Sequence, residues 1–133
     1  MFKQILFQTD GSASSDLAAQ STMRFAKSIG ARITALHVLP PVPPGQAQIT
    51  TQEPASKCLL AVQYAAGEHA VPCEAMLARS DDVLSVIIQA AFDRQCDLVA
   101  MSAGGLNATA QSLPGSQTMG LLAASQVPVL VLC

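Results

Sequence analysis

The stretch KQILFQTDGS, at residues 3–12, contains three consecutive apolar residues and ends in an Asp-Gly-Ser turn sequence. Residues 3–9 are predicted to form a short β-strand, because a brief apolar run bounded by turn residues is typical of a buried strand. Ser12 or Ser14 is a suitable N-cap for a following helix, since its hydroxyl can accept a hydrogen bond from a free backbone amide. A strand that turns directly into a capped helix is typical of an α/β domain.

Strands and helices are predicted to alternate along the rest of the chain. Four further strands are predicted, at residues 32–39, 72–78, 98–101 and 127–133. Five strands separated by helices predict one open, doubly wound parallel sheet with helices on both faces and right-handed crossovers. The length of 133 residues fits a single domain spanning 1–133, and the Pro-rich stretch at 40–45 is interpreted as a loop within it.

Apolar spacing and polar residues at helix starts predict how three of the helices are placed. A spacing of four residues predicts that the first helix turns one stripe inward, formed by Leu17, Ser21, Phe25 and Ile29. The pattern Thr50-x-x-Glu53 is typical of a capping box, which predicts a second helix that continues to about His69. Ser80 or Asp81 is predicted to cap the third helix, and a final helix is predicted to begin at Gly115.

The composition excludes several classes of protein. Half of the residues are hydrophobic and only 12% are charged, against about 25% in an ordinary soluble domain, which excludes intrinsic disorder. The net charge of −2 and the few dispersed basic residues argue against nucleic-acid binding. No apolar run reaches the ~20 residues of a membrane-spanning helix, and no signal-peptide core follows Lys3. A cytoplasmic protein with no membrane or nucleic-acid partner is therefore expected.

Two predicted loops carry the residues that could bind a ligand. In an open α/β sheet, ligands bind outside the carboxyl ends of the strands. One loop there is Thr9–Ser12, in which Asp10 could accept a hydrogen bond from a ribose or a base, or hold a metal ion. The other is 101–116, whose glycines allow close approach of the backbone and which leads into a helix start that favours an anion. From local pattern alone, an Asp10 that only shapes the turn remains the alternative.

The order of these segments resembles the universal stress protein family over essentially the whole chain. Residues 5–12, ILFQTDGS, are similar to the opening I-L-V-P-x-D-G-S of that family, and 36–38, LHV, to the end of its second strand. Residues 96–101, CDLVAM, are similar to its A-D-L-I-V-M-G strand. Gly115-Ser116 is followed at the family's spacing by 127–131, VPVLV. The resemblance implies a five-stranded sheet in the order 3-2-1-4-5.

The resemblance also implies an adenine-nucleotide site, for ATP or AMP with Mg²⁺. ATP-binding members carry G-x-x-G, nine residues, and then G-[ST]; here Gly105 and Gly115-Ser116 keep the second part and Ser102 replaces the first glycine. Asp10 and the backbone of Val38 would then contact the adenosine, and Met101 would line the base pocket. The implied set is Thr9, Asp10, Val38, Met101, Ser102, Gly104, Gly105, Gly115, Ser116 and Gln117.

Two other functions remain open at this point. Residues 103–114 contain no Lys, Arg or His, whereas family members often place a cation there, so the alternative is a universal stress domain that binds no nucleotide and serves as a dimeric interaction module. An enzyme on a related fold is the third hypothesis. Missing catalytic motifs argue against it, since no candidate general base lies beside the phosphate loop and the P-loop and G-x-G-x-x-G patterns are absent. No catalytic residue is assigned.

The last strand is predicted to form a dimer interface. A bare apolar strand at a sheet edge invites pairing with another chain, and family members commonly pair this edge across a two-fold axis. The predicted interface residues are Val129, Leu130, Val131 and Leu132. A monomer whose edge is covered by the Pro-rich loop is the alternative.

A histidine and three cysteines are interpreted as structural. His37 is predicted to be a core histidine with a hydrogen-bond partner rather than a ligand. Cys58, Cys73 and Cys96 are predicted to pack as small hydrophobic side chains.

Overall fold

A computed structural model describes residues 2–41, 45, 49–102 and 126–132 of the chain. In these residues strands and helices alternate as predicted. The elements are β1 (Gln4–Gln8), α1 (Ala13–Ile29), β2 (Arg32–Leu39), α2 (Ile49–Glu68), β3 (Cys73–Arg79), α3 (Val83–Asp93), β4 (Leu98–Ser102) and β5 (Val129–Leu132). None of the helices found in the described ranges is long and apolar enough to cross a bilayer.

The five strands form one sheet in the order β3-β2-β1-β4-β5, and every neighbouring pair is parallel. The expected doubly wound architecture with the order 3-2-1-4-5 is therefore confirmed. Strand β1 lies at the centre, with Phe7 opposite Ala35 of β2 and opposite Ala100 of β4. The chain leaves β1 toward β2 on one side, whereas it continues from β4 to β5 on the other. In open α/β sheets, ligands bind where the strand order reverses in this way, which here is at the carboxyl ends of β1 and β4.

Alternating residues of the sheet build a core on each face. Ile5 and Phe7 of β1 point to the side covered by α1 and α2. Leu6, between them, belongs to the cluster under α3, together with Leu36 and Met101. Because parallel strands covered by helices are buried on both faces, their sequences are apolar without alternation. This burial explains the low fraction of charged residues.

Helix α1 begins where expected but turns a different stripe to the sheet. Ser12 is its N-cap, with its Oγ accepting a hydrogen bond from the amide of Ser15 at 3.1 Å. The predicted inward stripe is wrong at both ends, because Leu17 is 72% exposed and Ile29 is also exposed. The buried positions are Ser15, Ala18, Ala19, Thr22, Met23 and Ala26. Apart from Met23, these side chains are small and let the helix lie close to the sheet, which leaves Leu17 outside.

The predicted starts of α2 and α3 are also corrected. Helix α2 begins at Ile49, so Thr50 lies inside the helix and is not its cap. Helix α3 is capped by Asp82, not by Ser80 or Asp81. Asp82 accepts hydrogen bonds from the amide and the hydroxyl of Ser85, at 3.1 and 2.6 Å. Those two bonds lower the pKa of Asp82. Ser80 instead accepts a hydrogen bond from the Asp82 amide at 3.0 Å, which stabilises the turn before the helix.

The last strand begins later than predicted. Strand β5 covers Val129–Leu132, whereas the sequence predicts a strand over 127–133, of which Cys133 lies outside the described residues. Before it, the Pro128 carbonyl accepts a hydrogen bond from the Val99 amide at 3.0 Å, which aligns β5 with β4. The predicted loop at 103–114 and the helix predicted from Gly115 lie outside the described residues.

Candidate functional site

The carboxyl ends of β1, β2 and β4 bring together five of the residues assigned to the site. Thr9, Val38, Met101 and Ser102 are buried at this edge, and Asp10 is half-buried. The amide of Thr9 donates to the carbonyl of Leu36 at 2.9 Å, so the β1–β2 pairing continues to the last residue before the turn. The remaining assigned residues, Gly104, Gly105, Gly115, Ser116 and Gln117, lie outside the described residues.

One oxygen of the Asp10 carboxylate accepts hydrogen bonds that hold this side chain in place. Its Oδ1 accepts hydrogen bonds from the Ser12 amide at 2.9 Å and from the Ser15 hydroxyl at 2.6 Å. The amide of Asp10 in turn donates to Ser15 Oγ at 3.3 Å. The two hydrogen bonds accepted by Oδ1 fix the orientation of the carboxylate. The carboxylate keeps acceptor capacity, because an ionised carboxylate has about four lone-pair sites.

The electrostatics of Asp10 favour the ionised form. Partial burial by itself raises the pKa of a carboxyl group, because it removes water from the charge. The hydrogen bonds from Ser12 and Ser15 outweigh this effect, so the pKa of Asp10 is lowered below its ordinary value. At neutral pH the side chain is thus an anionic acceptor at the open edge of the sheet.

A pH dependence of stability follows from this lowered pKa. A carboxyl group whose pKa is lower in the folded than in the unfolded state stabilises the fold above its unfolded pKa, and this contribution is lost as the pH falls through the folded pKa. We expect the free energy of unfolding of wild type to decrease more steeply than that of Asp10→Asn as the pH falls below about 4. Urea unfolding at a series of acid pH values measures both slopes, and equal slopes would contradict the assignment.

Thr9 is the junction between the sheet and this turn. Its carbonyl accepts hydrogen bonds from His37 Nδ1 at 2.7 Å and from Gln8 Nε2 at 3.3 Å. Its hydroxyl oxygen accepts one from the Gly11 amide at 3.2 Å. His37 is therefore a buried histidine with a partner, as predicted. Its contact with the turn is not apparent from the sequence, because strand β2 alone does not show which neighbour it meets.

Gly11 packs against helix α2. Its φ of +78° lies in the left-handed region, which favours glycine. A Cβ atom at this position would lie 2.5 Å from Sγ of Cys58. The turn thus needs glycine both for its backbone conformation and for the close approach of the Cys58 side chain. Sequence reasoning identified the turn but not Cys58 or Ser15, since both contacts depend on how helices lie over the strand end.

The other two described cysteines are structural. Cys96 is buried, and Cys73 packs against the core on the α1–α2 side. Burial raises the pKa of each thiol to about 11. Both therefore stay protonated at neutral pH and pack as small hydrophobic side chains, as predicted. Within the described ranges, no group of three or more His, Cys, Asp or Glu side chains lies together that could hold a metal ion.

Comparison with known sequences identifies the family. Residues 1–132 match the sequence model of the Universal stress protein family. The chain belongs to the universal stress protein family. A curated relative from Thermus aquaticus, described as a universal stress protein in the QAH/OAS sulfhydrylase 3′ region, is 31% identical over 135 residues and is matched over 98% of each chain. The resemblance inferred from the strand and turn motifs is thereby confirmed.

Solved structures of universal stress proteins share the fold. A universal stress protein in complex with cAMP superposes with a TM-score of 0.81 at 18% identity, covering 99% of this chain and 97% of that one. A universal stress protein from Archaeoglobus fulgidus in complex with dAMP has a TM-score of 0.79 at 15% identity, covering 98% and 97% of the two chains. At these identities the likeness establishes the universal stress fold of this chain.

Proposed function

We propose that this universal stress domain binds an adenine nucleotide, ATP or AMP, at the carboxyl edge of its sheet. The proposal rests chiefly on the Asp10 carboxylate, whose Oδ1 is held by Ser12 and Ser15 and which keeps acceptor capacity for a ligand. Asp10 follows β1 at the carboxyl edge of the sheet, where the strand order reverses and where open α/β sheets bind ligands. An oriented anionic acceptor at that place suits the hydroxyl groups of a ribose.

The surroundings of Asp10 suit a purine ring and a phosphate chain on either side of that ribose. Val38 and Met101 are buried apolar residues at the same edge of the sheet, and we expect them to form the floor of a pocket for a flat base. The spacing of Gly105, Gly115 and Ser116 in the sequence provides backbone amides for phosphate oxygens. Mg²⁺ bound through the phosphates then requires few protein ligands. The complexes of structurally similar proteins with cAMP and dAMP support this choice of ligand.

We further propose that the domain acts as a homodimer, paired through β5, in stress response or signalling within the cytoplasm. The family membership and the uncharged edge strand Val129–Leu132 support this part of the proposal.

The sequence of the glycine loop favours a second candidate, an interaction module that binds no nucleotide. Ser102 replaces a motif glycine, and residues 103–114 carry no cation. Loss of a charge-assisted contact weakens binding by about tenfold or more.

Calorimetric titration separates these two functions. We expect saturable heat with AMP, and with ATP in the presence of Mg²⁺, at dissociation constants between about 1 μM and 1 mM. Asp10→Ala should weaken binding by about 10- to 100-fold, because a hydrogen bond to a charged group contributes about 1.5–3 kcal/mol. Asp16→Ala is the matched control, since Asp16 is an exposed acid in the first turn of α1.

The same titration tests where the phosphates lie. Gly115→Val should remove the binding heat, because the added side chain fills the approach to the backbone amides. Unchanged affinity in that variant would show that the ligand lies elsewhere. No heat from the wild-type protein at millimolar ATP and AMP would instead favour the interaction module.

A further inference from the structure

We infer that His37 is a positioning residue for the nucleotide site: by donating a hydrogen bond to the Thr9 carbonyl, it sets the place from which Asp10 meets the ribose. For its effect on binding, this inference rests on the function proposed above. For its effect on the turn between β1 and α1, it rests on the structure alone. We do not expect His37 itself to contact the ligand.

The hydrogen bond to Thr9 fixes the orientation of the His37 ring and determines which ring nitrogen carries the proton. Nδ1 of His37 lies 2.7 Å from the Thr9 carbonyl oxygen, and the side chain is only 8% exposed. A carbonyl oxygen can only accept, so the proton is on Nδ1 and the imidazole acts as a donor at this contact. Without His37, this buried carbonyl would keep only the longer hydrogen bond from Gln8 Nε2, at 3.3 Å, to compensate for its lost water. The ring is therefore an integral part of the strand end.

The Thr9 carbonyl is joined to Asp10 by a short series of bonds. All three polar groups of Thr9 are used: the amide donates to Leu36, the carbonyl accepts from His37 and Gln8, and the hydroxyl oxygen accepts from Gly11. The next residue is Asp10, whose Oδ1 accepts from Ser12 and Ser15. The peptide plane between Thr9 and Asp10 thus has its orientation set at the carbonyl, and that plane determines where the Asp10 side chain begins.

His37 makes the long-range side-chain hydrogen bond of this turn. Among the described residues, the other side-chain hydrogen bonds of the turn are formed within residues 8–15. His37 lies on β2, 28 positions from Thr9. A network of local bonds keeps the shape of the turn, whereas its orientation on the sheet needs a contact with a neighbouring strand. His37 supplies that contact beside the backbone bond from Thr9 to Leu36.

Three substitutions test whether His37 is needed as a hydrogen-bond donor or only fills space. His37→Asn keeps an N–H close to the place of Nδ1, so it should still donate to the Thr9 carbonyl. His37→Gln moves the amide farther along the side chain, to the place of Nε2, and removes that donor although it stays polar. His37→Leu removes all polarity. If His37 only fills space, the leucine variant should be at least as good as the asparagine variant.

Two measurements on the full chain test the inference. We expect His37→Asn to bind AMP within about threefold of wild type, and His37→Gln and His37→Leu to bind about tenfold more weakly. In the ligand-free proteins, the amides of Gly11, Ser12 and Ser15 should exchange hydrogen about tenfold faster in the glutamine and leucine variants only. Amides at the centre of β1 provide the reference for global stability.

The outcomes distinguish this inference from the proposed function. Equal AMP affinity and equal exchange at Gly11, Ser12 and Ser15 in the asparagine and leucine variants would overturn the role of His37, and the glutamine variant gives the same comparison if the leucine variant does not fold. If wild type itself binds no AMP, the proposed function fails. The exchange rates then decide alone whether His37 positions the turn.

Discussion

Gly11→Ala should lower the free energy of unfolding by about 1.5–3.5 kcal/mol, because alanine meets two obstacles at this position. A residue with a Cβ loses about 1–2 kcal/mol in the left-handed region that Gly11 occupies, at φ +78°. The new methyl group would also lie 2.5 Å from Cys58 Sγ. The thiol must rotate away, and a displaced rotamer costs about 0.5–1.5 kcal/mol. Urea unfolding monitored by circular dichroism measures the sum.

Gly30→Ala is the matched control for the backbone part of this effect. Gly30, at the end of α1, has a φ of +71°, and a Cβ there would meet nothing within 4 Å. Its alanine variant should lose only the conformational part, about 1–2 kcal/mol. Adding Cys58→Ala to Gly11→Ala should recover the remaining difference between the two glycine variants. Equal losses at Gly11 and Gly30, with no recovery on removing the Cys58 thiol, would contradict the close packing of the turn on α2.

Val131→Asp should convert the proposed homodimer into a monomer. Strand β5 lies at a sheet edge, pairs only with β4 among the described strands, and carries no charge. The opposite edge, β3, carries Glu74 and Arg79, and charges on an edge strand discourage pairing. Of the two edges, β5 is therefore the one that favours self-association. A two-fold axis would place Val131 of both copies in the interface.

The size of this effect follows from the cost of burying a charge. An uncompensated buried charge costs about 3–5 kcal/mol, and the symmetric dimer would hold two. The dissociation constant should rise by a factor of about 10,000 or more. Sedimentation velocity measures the change, with Val131→Thr as a control that keeps the branched shape of valine. A wild-type protein that sediments as a monomer at micromolar concentration would refute the interface.

The sequence predicts the architecture well because the signals are local or repeated. A short apolar strand, an Asp-Gly-Ser turn and a serine cap occur together at the start of the chain, and the alternation of strands and helices determines the class of fold. The face of α1 that packs against the sheet is harder to predict from the sequence. Five of its six buried positions are alanine, serine or threonine, which hydrophobic spacing does not distinguish from surface residues. Leu17, in contrast, looks like a core residue and is exposed.

The candidate site is predictable only in part, for a similar reason. Asp10, Val38 and Met101 follow from the family motifs and from the rule that ligands bind at the carboxyl edge of the sheet. The residues on either side of Asp10 are contacted by other elements: His37 of β2 meets Thr9, and Cys58 of α2 lies against Gly11. Neither has a local signature, since each depends on which elements lie side by side after folding.

The most direct test of nucleotide binding is a titration of isotopically labelled protein with AMP, followed by amide chemical shifts. We expect saturable shifts at residues 10–12, at Val38 and at residues 101–102, which lie together at the carboxyl edge of the sheet. The amino edge, around Arg32 and Pro72, should stay unchanged. An absence of shifts at millimolar AMP, or shifts centred on the amino edge, would contradict the proposed site.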